Sequence, residues 1–377
     1  MNRLVVGLFA VLSLLSGSRT ADAATVQQVV DRVVSRHTGK FVGICIGAQD
    51  GPDLAWSCGG ETVLGNHQVP NARTLFGIAS ITKTVTGTGL ALAMQSHPGL
   101  LNTDVHDLAR EYEAFVPAGV MTVKELADQM SGLPHMWPLG FMTVNTVDAN
   151  FIEFGECLYN RSAPHCWSGV GPSYSNGGYA MLGAIVADEL GHTNNWFAAM
   201  YDRVLTPLGM KQTGIPKSYF PGYFDAHTAI GYSLGADDGL LHANPAGEDD
   251  LDPGMSPGGS LWSSPTDMNI WLQYNMGVLG FTQQDLWDAR NVLYKHYSSC
   301  FTAGQTGVCY PGFTGLAWES FKTPSGETMI SKSGGLLTGF HSFIGWIPST
   351  NKGVWVMVNS DGPSAQTIGQ EVLDLLP

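Results

Sequence analysis

The feature that most constrains how this chain can fold is the separation of two hydrophobic patterns along it. Strand-like runs occur near both ends, whereas the long middle section carries the wider spacing typical of helices. The turn Asp50-Gly51-Pro52 separates the first two runs and indicates a hairpin. This distribution predicts one sheet to which both ends of the chain contribute. The strand-like runs span residues 41–48, 54–58, 315–320, 328–332, 340–347 and 353–359.

A helical region interrupts the predicted sheet. The 377 residues exceed what one simple core accommodates, so two interlocked lobes are expected. We predict an α/β plus α fold, in which an antiparallel sheet flanked by helices receives an inserted helical lobe. The sheet lobe is assigned to residues 24–75 and 305–377, and the helical lobe to residues 76–304. The predicted helices cover residues 26–36, 84–95, 123–129, 178–190, 196–205, 266–274 and 366–376.

The N-terminus has the pattern of a signal peptide. Arg3 supplies a positive charge, residues 4–16 are apolar, and Ala21-Asp22-Ala23 offers small residues for cleavage. The apolar run is shorter than the ~20 residues that a membrane-spanning helix needs. We therefore expect residues 1–23 to be removed, and the mature chain to be periplasmic or secreted without a stable membrane span.

Charge and histidine spacing exclude several classes of partner. The formal net charge is −14 at pH 7, which disfavours nucleic acid and anionic lipid because both would be repelled. None of the eleven histidines shows metal-ligand spacing such as His-Glu-x-x-His. No metal and no cofactor is predicted, and the oligomeric state stays open.

The six cysteines fall into three pairs that are close in sequence. An exported chain can form disulfides, so three short-loop bridges are predicted, although six cysteines allow about 15 pairings. Free buried thiols are the alternative. The predicted bridges are Cys45–Cys58, Cys157–Cys166 and Cys300–Cys309.

Ser80 and Lys83 form the first candidate for chemistry, because they stand just before the predicted helix at 84–95. If that helix begins near Ser80, the two side chains lie at i and i+3 on one face. A partly desolvated lysine amine can then accept the proton of the serine hydroxyl and activate it as a nucleophile. Ser-x-x-Lys alone is a weak signal, since a surface helix with a solvated lysine matches it equally well.

Two further motifs strengthen the assignment. Tyr174-Ser175-Asn176 opens the predicted helix at 178–190, and Lys332-Ser333-Gly334 ends a strand-like run. Ser-x-x-Lys, a Ser/Tyr-x-Asn motif and Lys-Thr/Ser-Gly, in this order, are typical of penicillin-recognising serine enzymes. The chain thus resembles the class C β-lactamases and their relatives, the serine DD-carboxypeptidases of the penicillin-binding type (peptidase family S12) and the family VIII esterases. Supporting matches lie at 130–134, 207–210, 258–268 and 345–348.

The resemblance extends over nearly the whole mature chain and implies a role for each matching residue. Ser80 would form the acyl-enzyme, while Lys83 and Tyr174 would exchange its proton. Asn176 would hydrogen-bond the acylamide side chain of the substrate. A tyrosine placed between two lysines can take this role because cations lower its pKa.

Other matching positions are expected to bind substrate. Lys332 and Ser333 would face a substrate carboxylate or the leaving group, and Asn359 resembles a further carboxylate-contacting position. The oxyanion hole of the family uses two backbone N–H groups, which here belong to Ser80 and Gly335.

The sequence also departs from the family pattern. The stretch 335–340 is one residue longer than expected and carries Leu336-Leu337, which predicts a reshaped pocket edge. The segment after Pro134 lacks the glutamine that class C β-lactamases offer an acylamide. A second serine, Ser256 in Gly-Met-Ser-Pro-Gly, matches a nucleophile elbow formally, but the acidic residues before it and Pro257 after it indicate a loop.

These observations predict an exported serine hydrolase. The leading substrate is a D-Ala-D-Ala-type peptide of peptidoglycan, with β-lactams as the close alternative and carboxylesters third. A catalytically silent binding protein of the same fold is the non-enzyme alternative. The complete set Ser80, Lys83, Tyr174, Asn176 and Lys332 favours the enzyme.

Overall fold

The structure is a computed structural model. It describes residues 24–108, 118–119, 121–131, 133, 174–193, 195–215, 226–235, 238–244, 256–280, 283–302 and 315–377. The predicted signal peptide, residues 1–23, lies outside these ranges. No helix within them is long and apolar enough to cross a membrane, and they contain no group of three acidic, histidine or cysteine side chains placed to hold a metal.

A six-stranded antiparallel sheet forms the centre of the fold. The strands of the described chain are β1 (Gly43–Asp50), β2 (Asp53–Gly60), β3 (Phe76–Gly77), β4 (Gly231–Leu234), β5 (Leu241–Asn244), β6 (Trp262–Ser263), β7 (Glu319–Lys322), β8 (Thr328–Gly335), β9 (His341–Ile347) and β10 (Lys352–Val358). The strand order in the central sheet is β2-β1-β10-β9-β8-β7, so its first and last strands along the chain, β1 and β10, are neighbours. This arrangement confirms the predicted sheet built from both ends of the chain.

Helices cover both faces of this sheet. The first and last helices pack on one face, and the helices of the middle section pack on the other. The helices are α1 (Val26–His37), α2 (Thr82–Ser96), α3 (Val105–Leu108), α4 (Val123–Ala127), α5 (Asn176–Glu189), α6 (Trp196–Met200), α7 (Thr206–Leu208), α8 (Ser256–Gly259), α9 (Pro265–Met276), α10 (Gln284–Thr302) and α11 (Ala365–Leu375).

The alternation of side chains along each strand divides the interior into two cores. On β8, Ile330 joins the core shared with α2, α5 and α9, whereas Met329 joins the core under α1 and α11. On β9, Ile344 and Phe343 are divided in the same way. The side of a strand on which a residue lies therefore decides whether it can reach the middle helices.

α2 is the central helix of the middle section. Its residues from Thr82 to Ala93 are all buried, because α5, α8 and α10 pack around it. A polar side chain at the start of α2 is consequently shielded from water by other elements of the fold. Lys83 occupies such a position.

Some elements differ from the prediction. The predicted helix at 196–205 is α6 followed by a π-helical turn at Tyr201–Leu205, and the hairpin of β4 and β5 was not predicted. α10 was also missed, although Leu286, Ala289 and Leu293 are buried at helical spacing and carried a usable signal.

One predicted disulfide is present in the described part of the chain. Cys45 on β1 and Cys58 on β2 are directly opposite in the register of the hairpin and are bonded to each other. The other two predicted bridges, Cys157–Cys166 and Cys300–Cys309, involve side chains outside the described part of the chain.

Candidate active site

Ser80 lies in a single 3-10 turn, Ala79–Ile81, that leads directly into α2. The residue before it, Ala79, has φ 48°, in the left-handed region that side chains with a Cβ rarely adopt. Such strain persists only where the surrounding structure holds it in place, and it concentrates at functional sites. Ser80 itself is only partly buried, so its hydroxyl is available at the edge of the interior.

Lys83 is fully buried one turn after Ser80, as the i and i+3 spacing predicted. Its Nζ donates to Ser80 Oγ at 3.1 Å, to Asn176 Oδ1 at 2.6 Å and to the carbonyl oxygen of Gly258. Burial lowers the pKa of the Lys83 ammonium, and the nearby charge of Lys332 lowers it further, against the opposing influence of Tyr174. Lys83 is therefore suited to exchange a proton with Ser80.

Tyr174 lies between two lysines. Nζ of Lys83 is 4.7 Å from the centroid of the tyrosine ring, and Nζ of Lys332 is 4.8 Å from it. Burial by itself would raise the pKa of the phenol. The charges of Lys83 and Lys332, together with hydrogen bonds to Lys83 and Ser80, outweigh burial, so the pKa of Tyr174 is lowered. Tyr174 therefore loses its proton more readily than an exposed tyrosine, which leaves its oxygen able to accept the proton of Ser80.

Lys332 projects from β8 and is almost fully buried, with 3% of its surface exposed. Its ammonium forms an ion pair with Glu319, the first residue of β7. Burial would lower the pKa of Lys332, but Tyr174 and Glu319 outweigh burial and raise it. Lys332 thus remains a cation beside the Tyr174 ring.

The end of β8 meets the turn that holds Ser80. Ser342 on β9 donates its hydroxyl to the carbonyl oxygen of Ile78 at 2.8 Å. Gly334 lies so close to this turn that a Cβ atom on it would be 2.5 Å from that same oxygen. The glycine of the third motif is therefore required by close packing of one backbone on another.

Gly335 follows at the last position of β8. Leu336 N donates to Phe340 O, and hydrogen-bonded pairs alternate along an antiparallel ladder, so Gly335 and His341 form a non-hydrogen-bonded pair. The N–H of Gly335 is thus directed away from β9. This orientation is compatible with the expected oxyanion hole.

Asn176 is the first residue of α5. The helix begins here because the Ser175 side chain caps it by accepting from Gly178 N at 2.9 Å. The amide oxygen of Asn176 contacts Lys83, which places this residue in the cluster around Ser80.

Two residues expected to contact the substrate, Ser333 and Asn359, lie outside the cluster around Ser80. Ser333 lies on the opposite face of β8 from Lys332, and its hydroxyl donates to Gln366 Oε1 of α11 at 3.3 Å. Asn359 is fully buried, and its Nδ2 donates to three backbone carbonyl oxygens, those of Glu61, Thr62 and Ile230. Neither side chain joins the cluster around Ser80, because the sheet directs them elsewhere.

Two members of the cluster were not predicted from the sequence. The Gly258 carbonyl that accepts from Lys83 belongs to α8, which begins at Ser256 of the rejected elbow motif. Ser256 is itself buried. Glu319 gave no motif signal, although the turn at Ser325-Gly326 sets Glu319 opposite Ser331, next to Lys332.

A small cavity lies beside Tyr174, Lys332 and Glu319, and Gln129 is part of its wall. Gln129 is buried with φ 59°, and its Oε1 accepts from Ser175 N at 2.6 Å. The cavity is lined by Ala127, Asp128, Gln129, Tyr174, Gly315, Ala317, Trp318, Glu319 and Lys332.

The chain is similar in sequence and in fold to several known proteins. The D-alanyl-D-alanine-carboxypeptidase/endopeptidase AmpH of Escherichia coli (strain K12) is 24% identical over 361 residues, which cover 91% of this chain and 88% of AmpH. Among solved structures, a class C beta-lactamase has a TM-score of 0.71 at 20% identity, with 93% of this chain and 96% of that chain covered. The class C beta lactamase of Rhodobacter sphaeroides has a TM-score of 0.68 at 21% identity, with 93% and 97% covered.

The sequence profile of the family described as Beta-lactamase matches residues 27–376, almost the entire chain. The solved structures share the fold of the sheet and its helices. The family is one of serine hydrolases. This chain belongs to the beta-lactamase family.

Proposed function

We propose that the chain is a DD-carboxypeptidase or endopeptidase of the penicillin-binding type, which cleaves D-Ala-D-Ala-type peptides through an acyl-enzyme on Ser80. The observation that carries the proposal is the contact of 3.1 Å between Lys83 Nζ and Ser80 Oγ, with Tyr174 hydrogen-bonded to both side chains. A nucleophile, a base and a counter-charge are then within reach of one another.

Acylation in this proposal begins when Ser80 Oγ attacks the carbonyl carbon of the substrate. The hydroxyl proton passes to the Lys83–Tyr174 pair, and the negative charge on the carbonyl oxygen is stabilised by the N–H groups of Ser80 and Gly335. The same pair then donates the proton to the leaving amine as the carbon–nitrogen bond breaks. Water subsequently attacks the carbonyl carbon of the ester on Ser80 and gives a proton to the pair. The pair passes that proton to Ser80 Oγ as the carbon–oxygen bond breaks, which releases the acid and restores the serine hydroxyl.

The peptide substrate is supported by the AmpH relative, whose name gives that activity and which spans nearly the same length. A substrate carboxylate would have to share Lys332 with Glu319, because that ammonium is already paired. An exported location, with removal of residues 1–23, fits a peptidoglycan substrate. No nucleic acid, metal or cofactor enters the proposal.

Hydrolysis of β-lactams is the second candidate, favoured by the class C β-lactamase fold of the solved structures. It uses the same nucleophile and differs in how fast water releases the acyl group. A carboxylester is the third candidate substrate, because the exposed Leu337, two residues after the end of β8, offers apolar surface.

Intact-mass spectrometry of the purified mature protein tests the proposal. Wild type, Ser80→Ala and the control Ser256→Ala are mixed with penicillin and followed from minutes to hours. We expect a persistent adduct on wild type and Ser256→Ala that is absent from Ser80→Ala. A transient adduct with consumption of the drug would instead identify a β-lactamase. An adduct that survives Ser80→Ala, or no adduct on wild type, would refute the proposal.

A further inference from the structure

Four ionisable side chains meet in the buried region around Ser80. Lys83 and Lys332 have 0% and 3% of their surfaces exposed, and both ammonium groups lie over the ring of Tyr174. The fourth group is the carboxylate of Glu319, whose side chain is 16% exposed. Two buried cations so close together require negative charge nearby, because burial penalises an uncompensated charge.

The two lysines donate to different kinds of acceptor. Lys83 donates to Ser80 Oγ, Asn176 Oδ1 and the Gly258 carbonyl, all of which are neutral acceptors. Tyr174 acts electrostatically on both lysines, because both ammonium groups lie over its ring. Lys332 has the carboxylate of Glu319.

We propose that Glu319 is a positioning residue, which pairs with Lys332 so that Lys332 stays charged and Tyr174 remains available to Lys83 and Ser80. The inference rests on the proposed serine chemistry and extends it to a residue that no motif marks. Without Glu319, Lys332 would lose the carboxylate that offsets its charge beside Tyr174. The two lysines would then lower the pKa of Tyr174 further, so its oxygen would be a weaker base and would accept the Ser80 proton less readily.

The proposal predicts a specific change in the dependence of activity on pH. Lys332 is faced by Tyr174, Glu319 and Lys83, while Asp128 lines the adjoining cavity and Tyr179 lies over Lys83. Replacing Glu319 by neutral glutamine leaves every other one of these groups unchanged. The pKa values of Tyr174 and Lys332 should then both fall, because one negative charge has been removed from beside two cations.

The test compares the pH profile of kcat/KM for wild type, Glu319→Gln and the control Glu327→Gln. Glu327 belongs to the same hairpin, but its carboxylate contacts Ser325 and Ser349 away from the cluster. We expect both limbs of the Glu319→Gln profile to move to lower pH by about one unit, with Glu327→Gln like wild type. A loss of rate at every pH with unmoved limbs would mean a merely structural role and would overturn the proposal.

A second measurement covers the case in which Glu319→Gln is too damaged for a profile. If Glu319 acts through Lys332, the double variant Glu319→Gln/Lys332→Met should be no slower than Lys332→Met alone. If the two substitutions instead lower the rate independently, so that their factors multiply in the double variant, the proposal is overturned. Ser80→Ala separates this result from the proposed function, because a reporter hydrolysed equally by wild type and Ser80→Ala would refute the serine chemistry itself.

Discussion

Replacement of Gly334 by alanine should inactivate the enzyme without unfolding it. The new Cβ would lie 2.5 Å from Ile78 O, 2.4 Å from Ser342 Oγ and 3.0 Å from the Cβ of Ala79. Ordinary contacts are about 3.5 Å, so β8 and the turn before Ser80 must separate by roughly 1 Å. The Ser342 hydroxyl can rotate, whereas the backbone oxygen of Ile78 cannot move independently of the turn.

That separation displaces the oxyanion donors relative to each other. A misplacement of about 1 Å costs roughly 10²-fold in rate, and loss of one oxyanion donor costs about 10²–10³-fold. We therefore expect kcat/KM of Gly334→Ala to fall by roughly 10²–10³-fold. Overpacking of this size should lower the free energy of unfolding by only about 1–3 kcal/mol.

Gly335→Ala is the matched control for this prediction. A Cβ on Gly335 would meet His341 Nδ1 at 3.3 Å, and that side chain can turn aside. Gly335 is not among the positive-φ glycines of the described chain, and alanine keeps the N–H donor. The assay is hydrolysis of a chromogenic ester or β-lactam, with thermal unfolding of each variant. Activity of Gly334→Ala within a few-fold of wild type, or equal damage by Gly335→Ala, would refute the reasoning.

Two other predictions follow from the buried ionisable groups. Tyr174→Phe removes the phenol but keeps the ring under both lysines, so acylation of Ser80 should slow by about 10²–10⁴-fold in stopped-flow measurements; an unchanged rate would exclude Tyr174 from proton transfer. Burial raises the pKa of Asp267 from 3.8 to about 6, although it accepts from Thr213 and Gln212. Because the pKa of Asp267 is higher in the folded than in the unfolded state, its contribution to the free energy of unfolding is fully present below pH 4. That contribution, about 3 kcal/mol, is lost as the pH rises through 6. In urea unfolding, the free energy of unfolding of Asp267→Asn minus that of wild type should therefore increase by that amount between pH 4 and 7.5. A difference that stays constant with pH would contradict the assignment.

Predictions that depended on neighbouring residues were the most successful. α1 and the first hairpin lie within two residues of their predicted ends, because capping residues and the turn at Asp50-Gly51 act locally. The contact of Ser80 with Lys83 is likewise a property of one helical turn. Position in a strand was less informative about Ser333, since alternation gives two faces and the sequence does not say which one carries the cleft.

The sequence by itself determined the sheet at both ends of the chain, the helical middle section, and the residue types that meet around Ser80. The tertiary structure alone decided how those residues share their charges. The Gly258 carbonyl reaches Lys83 across 175 residues, and Glu319 pairs with Lys332 through the register of the β7–β8 hairpin. The physical reason is that a buried ion pair depends on strand register and on helix packing against the sheet, which no sequence motif records.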